Sequence, residues 1–176
     1  EALSKSGNPK SVFDVVNSTE YPGWGFMMDR GATTIWETWK ESDNIYSNCH
    51  PMFGTVSEWF YRWLGGIQPN LDYPGFERFI LAPFIPEELE FVNSSYHSPF
   101  GEIVSNWKKS GTNKITFEIN VPEGSIASFQ LSEVQLSIVT IENKDIRRIY
   151  TPDDLSLKAD GIELKSGRYR ISGTIY

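Results

Sequence analysis

Residues 52–81, MFGTVSEWFYRWLGGIQPNLDYPGFERFIL, contain the point at which the hydrophobic period of the chain changes. Before it, Phe53, Val56, Phe60, Trp63 and Leu64 recur at the spacing of one helix face, with Trp59 beside them, and Gly65-Gly66 supplies a stop. The pattern predicts one helix over 52–64, apolar around most of its circumference and therefore buried in a helical assembly larger than this chain. Past Pro74-Gly75 the period becomes two, beginning with Phe79-Ile80-Leu81.

Working outward, the N-terminal side stays helical. Asn8-Pro9 is a helix start, with Asn as cap and Pro at the first helical position, and Val12, Val15 and Val16 follow at helical spacing. Residues 25–30 read as a short helix that Gly31 ends. On the other side lie short strand candidates: Phe91-Val92, Glu102–Trp107, Ile115 to Val121, Ala127 to Leu131, Leu136–Val139, Arg147–Tyr150 and Tyr169 to Ile175. Ile115, Phe117, Ile119 and Val121 alternate with polar residues, as a strand with one buried face does. Asp160-Gly161, between Leu155–Lys158 and Ile162–Leu164, is a two-residue hairpin signal. Short strands at this spacing predict an antiparallel β-sandwich. The expected fold class is α+β in two parts, helices over residues 1–76 and a β-sandwich over 77–176. The first residues, Glu1 to Lys5, read as the middle of a helix without an initiator Met, so a fragment of a longer polypeptide is expected.

Composition narrows the class of function. With 39% hydrophobic and 22% charged residues in 176, the chain can bury a core. A net charge of −7 with scattered basic residues argues against a nucleic-acid partner, since phosphates need clustered Lys and Arg. No apolar run approaches the ~18 residues of a membrane span. The single Cys49 cannot form an internal disulfide. His50, His97 and Cys49 lack metal-ligand spacing, and there is no phosphate-binding Gly-rich loop or nucleophile elbow, so no metal or cofactor is expected.

The stretch able to carry chemistry runs from Tyr21 to Gly54: Tyr21-Pro22-Gly23-Trp24-Gly25, then Gly31-Ala32-Thr33-Thr34-Ile35-Trp36-Glu37-Thr38-Trp39, then Ser47-Asn48-Cys49-His50-Pro51-Met52-Phe53-Gly54. Trp24, Trp36 and Trp39 stand on Gly- and Thr-rich backbone, where an indole can serve as an apolar platform for a sugar ring. Glu37 is flanked by two of them. A carboxylate against aromatic walls loses hydration and becomes a better base, as a glycosidase requires of the group that deprotonates water. Equally, Glu37 reads as a surface acid or helix cap, His50 as a helix-start residue rather than a donor to a sugar hydroxyl, and the indoles as core.

These three motifs resemble those of the bacterial α-L-rhamnosidases, in the order that family has them. Tyr73-Pro74-Gly75-Phe76, Ser94-Ser95-Tyr96-His97-Ser98-Pro99-Phe100-Gly101 and Ile103-Val104-Ser105-Asn106-Trp107 are also similar, so the likeness covers roughly residues 8 to 131. The resemblance implies the last helices of an (α/α)₆ barrel followed by a C-terminal β-sandwich, and hydrolysis with inversion. It implies that Glu37 is the general base, that His50 contacts rhamnose, and that Trp24 and Trp36 shape a wall of the sugar site. The general acid would lie N-terminal to this chain, which alone would be inactive. The implied partners are a glycan or glycoside containing L-rhamnose and the N-terminal remainder of the same polypeptide; a polysaccharide-degrading parent favours a secreted or periplasmic location. Two departures stand out: Cys49 where Asn usually precedes the His, and His97 where an acid is common. Two other functions remain open: an (α/α)₆ glycosidase for a different sugar, and a non-catalytic sandwich whose face holds a glycan or another protein domain, which strand residues such as Trp107 and Phe117 could serve, although alternating core positions explain them more cheaply.

Overall fold

The computed structural model describes residues 1–40, 47–111, 113–130, 139–142, 147–150 and 161–174. Its contacts divide into two units, Glu1–Phe60 and Tyr61–Tyr176.

The first unit is helical. It contains α1 (Ala2–Lys5), α2 (Pro9–Asn17), α3 (Trp24–Asp29), a 3₁₀ turn Pro51–Phe53 and α4 (Val56–Trp59). Pro9 takes the first helical position of α2 as expected, but the Asn8 side chain turns back to the Ser6 carbonyl instead of capping the helix. Phe13 of α2 and Met27 of α3 are buried, and the Trp59 indole N–H donates to the Ser4 hydroxyl at 2.8 Å, both residues being buried.

The single helix expected over 52–64 is replaced by three pieces: the 3₁₀ turn, α4, and a π turn Phe60–Leu64. The hydrogen-bond span widens along the run from three residues to five, so a stripe drawn at constant 3.6-residue spacing does not hold. Phe60, placed on the expected buried stripe, is 39% exposed, while Trp59, placed beside it, is 4% exposed.

In the second unit the last three carbonyls of the π turn are taken up. Arg62 accepts from the Gln68 amide at 3.0 Å, Trp63 from the Phe84 backbone N–H at 2.8 Å, and Leu64 from the Trp107 indole N–H at 2.9 Å. Gly66, at φ +73°, lets the backbone turn sharply and lie directly on the Ala82–Pro83 peptide, where a Cβ would collide with the Pro83 nitrogen.

The strands are β1 (Ile67–Pro69), β2 (Arg78–Leu81), β3 (Phe91–Val92), β4 (Ser95–Ser98), β5 (Gly101–Ser110), β6 (Lys114–Val121), β7 (Ile126–Phe129), β8 (Val139–Glu142), β9 (Arg147–Tyr150), β10 (Ile162–Leu164) and β11 (Gly167–Thr174). They form a four-stranded sheet, β1-β2-β7-β10, and a seven-stranded sheet, β3-β5-β6-β11-β8-β9 with β4 beside β5. Among the described residues all pairs are antiparallel except β2 with β7, which run parallel. One core lies between the sheets, built from Phe79, Leu81 and Phe129 on one side and Ile103, Trp107, Phe117 and Ile171 on the other. The period-two reading of β6 is realised residue by residue, with Ile115, Phe117, Ile119 and Val121 inward. Strand pairing begins at Ile67, ahead of the boundary expected at 76/77. Leu131, Leu136, Leu155–Lys158, Asp160 and Ile175 lie outside the described residues.

Trp107 and Phe117 are 1% and 0% exposed. They are core, as their alternation suggests, and neither is open to a ligand.

Candidate active site

The Tyr-Pro-Gly-Trp-Gly motif owes its glycines to crowding where α3 starts beside the end of α2. A Cβ on Gly23 would lie 2.9 Å from the Val15 carbonyl oxygen, and one on Gly25 would strike the Ser18 carbonyl oxygen. Both obstacles are backbone, so α3 and Trp24 would have to shift. Gly25→Ala is therefore expected to cost about 1–3 kcal/mol, read as a lower denaturation midpoint with altered tryptophan fluorescence.

Trp24, so placed, donates its indole N–H to the Phe53 carbonyl at 3.1 Å. Its ring meets Trp39 edge-on at 4.7 Å, and Trp39 stacks on Phe53 at 4.0 Å with 19° between planes. Three aromatic residues from three separate motifs thus form one cluster. Trp36 is 4% exposed, a buried ring, whereas Glu37 beside it is half-buried.

Glu37 is held by pairing between its own segment and residues 47–50. Its N–H donates to the Ser47 carbonyl at 2.9 Å, and the His50 N–H donates to the Ile35 carbonyl at 2.8 Å. The Thr34 hydroxyl donates to the Asn48 carbonyl beside these rungs. The Ser47 N–H in turn donates to Glu37 Oε2 at 2.8 Å, and the Ser47 hydroxyl accepts from the Cys49 N–H at 3.0 Å. A backbone donor on one carboxylate oxygen fixes the orientation of the group and leaves Oε1 without a hydrogen-bond partner among the described residues.

His50 sits on the same pairing, two residues along. Its Nδ1 accepts from the Met52 N–H at 3.1 Å, capping the 3₁₀ turn Pro51–Phe53. With Nδ1 used as an acceptor, Nε2 is the ring nitrogen left to donate. The helix-start role and a donor role are therefore compatible, one for each ring nitrogen.

The structure brings Glu37 and His50 together on one pair of backbone segments and gathers Trp24 with Trp39 and Phe53. Ser47 and Phe53 have roles that residue type did not announce. The question that could have found Ser47 is what satisfies a half-buried carboxylate next to a run of Ser, Asn and Cys. Among the described residues no group of three or more His, Cys, Asp or Glu could hold a metal ion, and no helix among them is long and apolar enough to cross a membrane.

Two family models match in tandem: the bacterial alpha-L-rhamnosidase 6 hairpin glycosidase domain over residues 1–64, and the bacterial alpha-L-rhamnosidase C-terminal domain over residues 66–144. An alpha-L-rhamnosidase of Alteromonas sp. (strain LOR) is 28% identical over 151 residues, covering 81% of this chain and 16% of that protein. One of Formosa agariphila is 26% identical over 96% of this chain and 18% of its own length. The alpha-L-rhamnosidase structure from Dictyoglumus thermophilum superimposes with a TM-score of 0.82 at 27% identity, over 98% of this chain and 20% of that one. That of Streptomyces avermitilis, complexed with L-rhamnose, shares the fold with a TM-score of 0.78 at 20% identity, over 97% of this chain and 16% of that one. The chain thus spans between 16% and 20% of the length of these relatives. With both domain models matched in succession across residues 1–144, the chain belongs to the bacterial α-L-rhamnosidase family.

Proposed function

We propose that this chain is the C-terminal part of an inverting α-L-rhamnosidase, that it closes an (α/α)₆ barrel, and that Glu37 is its general base. Family membership supports the reaction class, and the relative complexed with L-rhamnose supports the sugar. The observation that carries the role of Glu37 is its anchoring. One oxygen is pinned by the Ser47 N–H, so the other can be presented to a water in a fixed direction.

In this reading a water sits between Glu37 and the anomeric carbon, on the face opposite the leaving group. The two carboxyl groups of an inverting enzyme stand ~6.5–9.5 Å apart to admit that water. Glu37 takes the proton while an acid from elsewhere in the longer polypeptide protonates the glycosidic oxygen. His50 donates from Nε2 to a ring hydroxyl. The Trp24–Trp39–Phe53 cluster forms the apolar wall, and Trp36, buried, backs the Glu37 segment instead of facing the sugar. This chain alone carries one of the two proton-transfer groups and is inactive.

The stereochemistry tests the proposal. Proton NMR of the full-length enzyme cleaving an aryl α-L-rhamnoside is expected to show β-L-rhamnose first, with the α anomer appearing only by mutarotation. If the α anomer appears first, inversion and the water-activating role of Glu37 fall together; an enzyme that cleaves only other glycosides removes the sugar assignment.

A further inference from the structure

The outward face of the seven-stranded sheet carries a second concentration of polar chemistry. The residues that alternate with the buried Trp107, Phe117 and Ile171 point away from the core. Strand register sets Asn106, Glu118 and Arg170 side by side across β5, β6 and β11. In the next row it sets Phe91, Lys108 and Thr116 side by side across β3, β5 and β6. These six side chains line a cleft of about 540 Å³.

Three features define its ligand. Phe91 is 55% exposed at one edge, an apolar ring with no core to fill, and such a ring stacks on the C–H face of a pyranose. Beside it lie an amide, a hydroxyl, one carboxylate and two cations, a mixture of donors and acceptors of both signs. A hydroxyl both donates and accepts, so a hydroxyl-rich ligand can use every one of these groups, whereas a polyanion or polycation would meet repulsion from part of the set. Lys108, Glu118 and Arg170 make no ion pair with another described residue, and Asn106 spends only its carbonyl oxygen, on the Ser94 N–H. The cleft of about 410 Å³ on the four-stranded sheet is different, since Arg78 there already pairs with Glu163 at 3.7 Å and lies over the Tyr73 ring.

We infer that the cleft is a second carbohydrate site, taking a neutral oligosaccharide segment with Phe91 against one ring and Asn106, Lys108, Glu118 and Arg170 on the hydroxyls of its neighbour. It would keep a polymer on the protein between cleavage events. The choice of a rhamnose-bearing glycan as ligand rests on the rhamnosidase reading above.

Native electrophoresis of the 176-residue chain through gels containing a neutral rhamnan tests this. The chain is expected to be retarded, with Phe91→Ala and Arg170→Ala each weakening the interaction about tenfold or more. Both positions are exposed, so circular dichroism should show the fold unchanged. Glu37→Gln is expected to leave retardation intact. Absence of retardation, equal retardation of the Phe91 and Arg170 variants, loss of retardation on Glu37→Gln, or retardation only by a charged polymer would each overturn the inference. Failure of the rhamnosidase reading shows elsewhere, in the hydrolysis of an aryl rhamnoside by the full-length enzyme, which the cleft variants should leave unaltered.

Discussion

Glu37→Gln in the full-length enzyme is expected to lower kcat for an aryl α-L-rhamnoside by about 10²–10⁴-fold, the usual worth of a general base, with KM little changed. Gln has the size and shape of Glu and can still accept the Ser47 N–H through its amide oxygen, so the local backbone pairing should survive. What it cannot do is take a proton from water. Because the lost interaction develops as the proton moves, the effect belongs in kcat and in kcat/KM alike. At 1.36 kcal/mol per decade the loss corresponds to about 3–5 kcal/mol of transition-state stabilisation. Glu37→Asp keeps the charge but retracts it by one methylene, and a misplacement of that order costs about 10²-fold. If Gln loses activity and Asp retains a measurable part, the group acts as a base; full activity in Gln would assign the role to another residue.

The largest effect on folding is expected at Trp107. The side chain is 1% exposed in the middle of the sandwich core and its indole N–H satisfies the Leu64 carbonyl at 2.9 Å. Trp107→Ala removes the filled volume and strands the carbonyl in one step, and should cost about 3–5 kcal/mol, more than any single exposed substitution. Trp107→Phe retains most of the ring volume and removes the donor, so its smaller cost, about 1–3 kcal/mol, isolates the hydrogen bond. Chemical denaturation monitored by circular dichroism separates the two. Equal losses for Ala and Phe would mean that the hydrogen bond, and not the packing, makes this position indispensable.

How far these sites could be read without coordinates differs along the chain. The β-sandwich was legible because a strand with one buried face writes its orientation into a period of two, and Ile115 to Val121 follow it without exception. The helical run 52–64 was legible as apolar and helical but not as a 3₁₀ turn, an α turn and a π turn, because the sequence pattern assumes one constant hydrogen-bond span. Near the candidate site, Glu37, His50 and Trp24 stood out by residue type and motif, and their family by the order of those motifs. Ser47 did not, since what it offers Glu37 is a backbone N–H, which every residue but proline possesses.

By itself, then, the amino-acid order determined which residues are candidates for chemistry and which half of the chain is helix or strand, because side-chain type and hydrophobic period are local properties. Only the tertiary structure decided what those residues face: that Trp36 is buried while Trp24, Trp39 and Phe53 cluster, that Glu37 and His50 lie on one backbone pairing, and that Trp107 turns into the core while Asn106 and Lys108 turn out. Each depends on pairing between segments distant in sequence, and a backbone hydrogen bond across such a pair leaves no mark on residue identity.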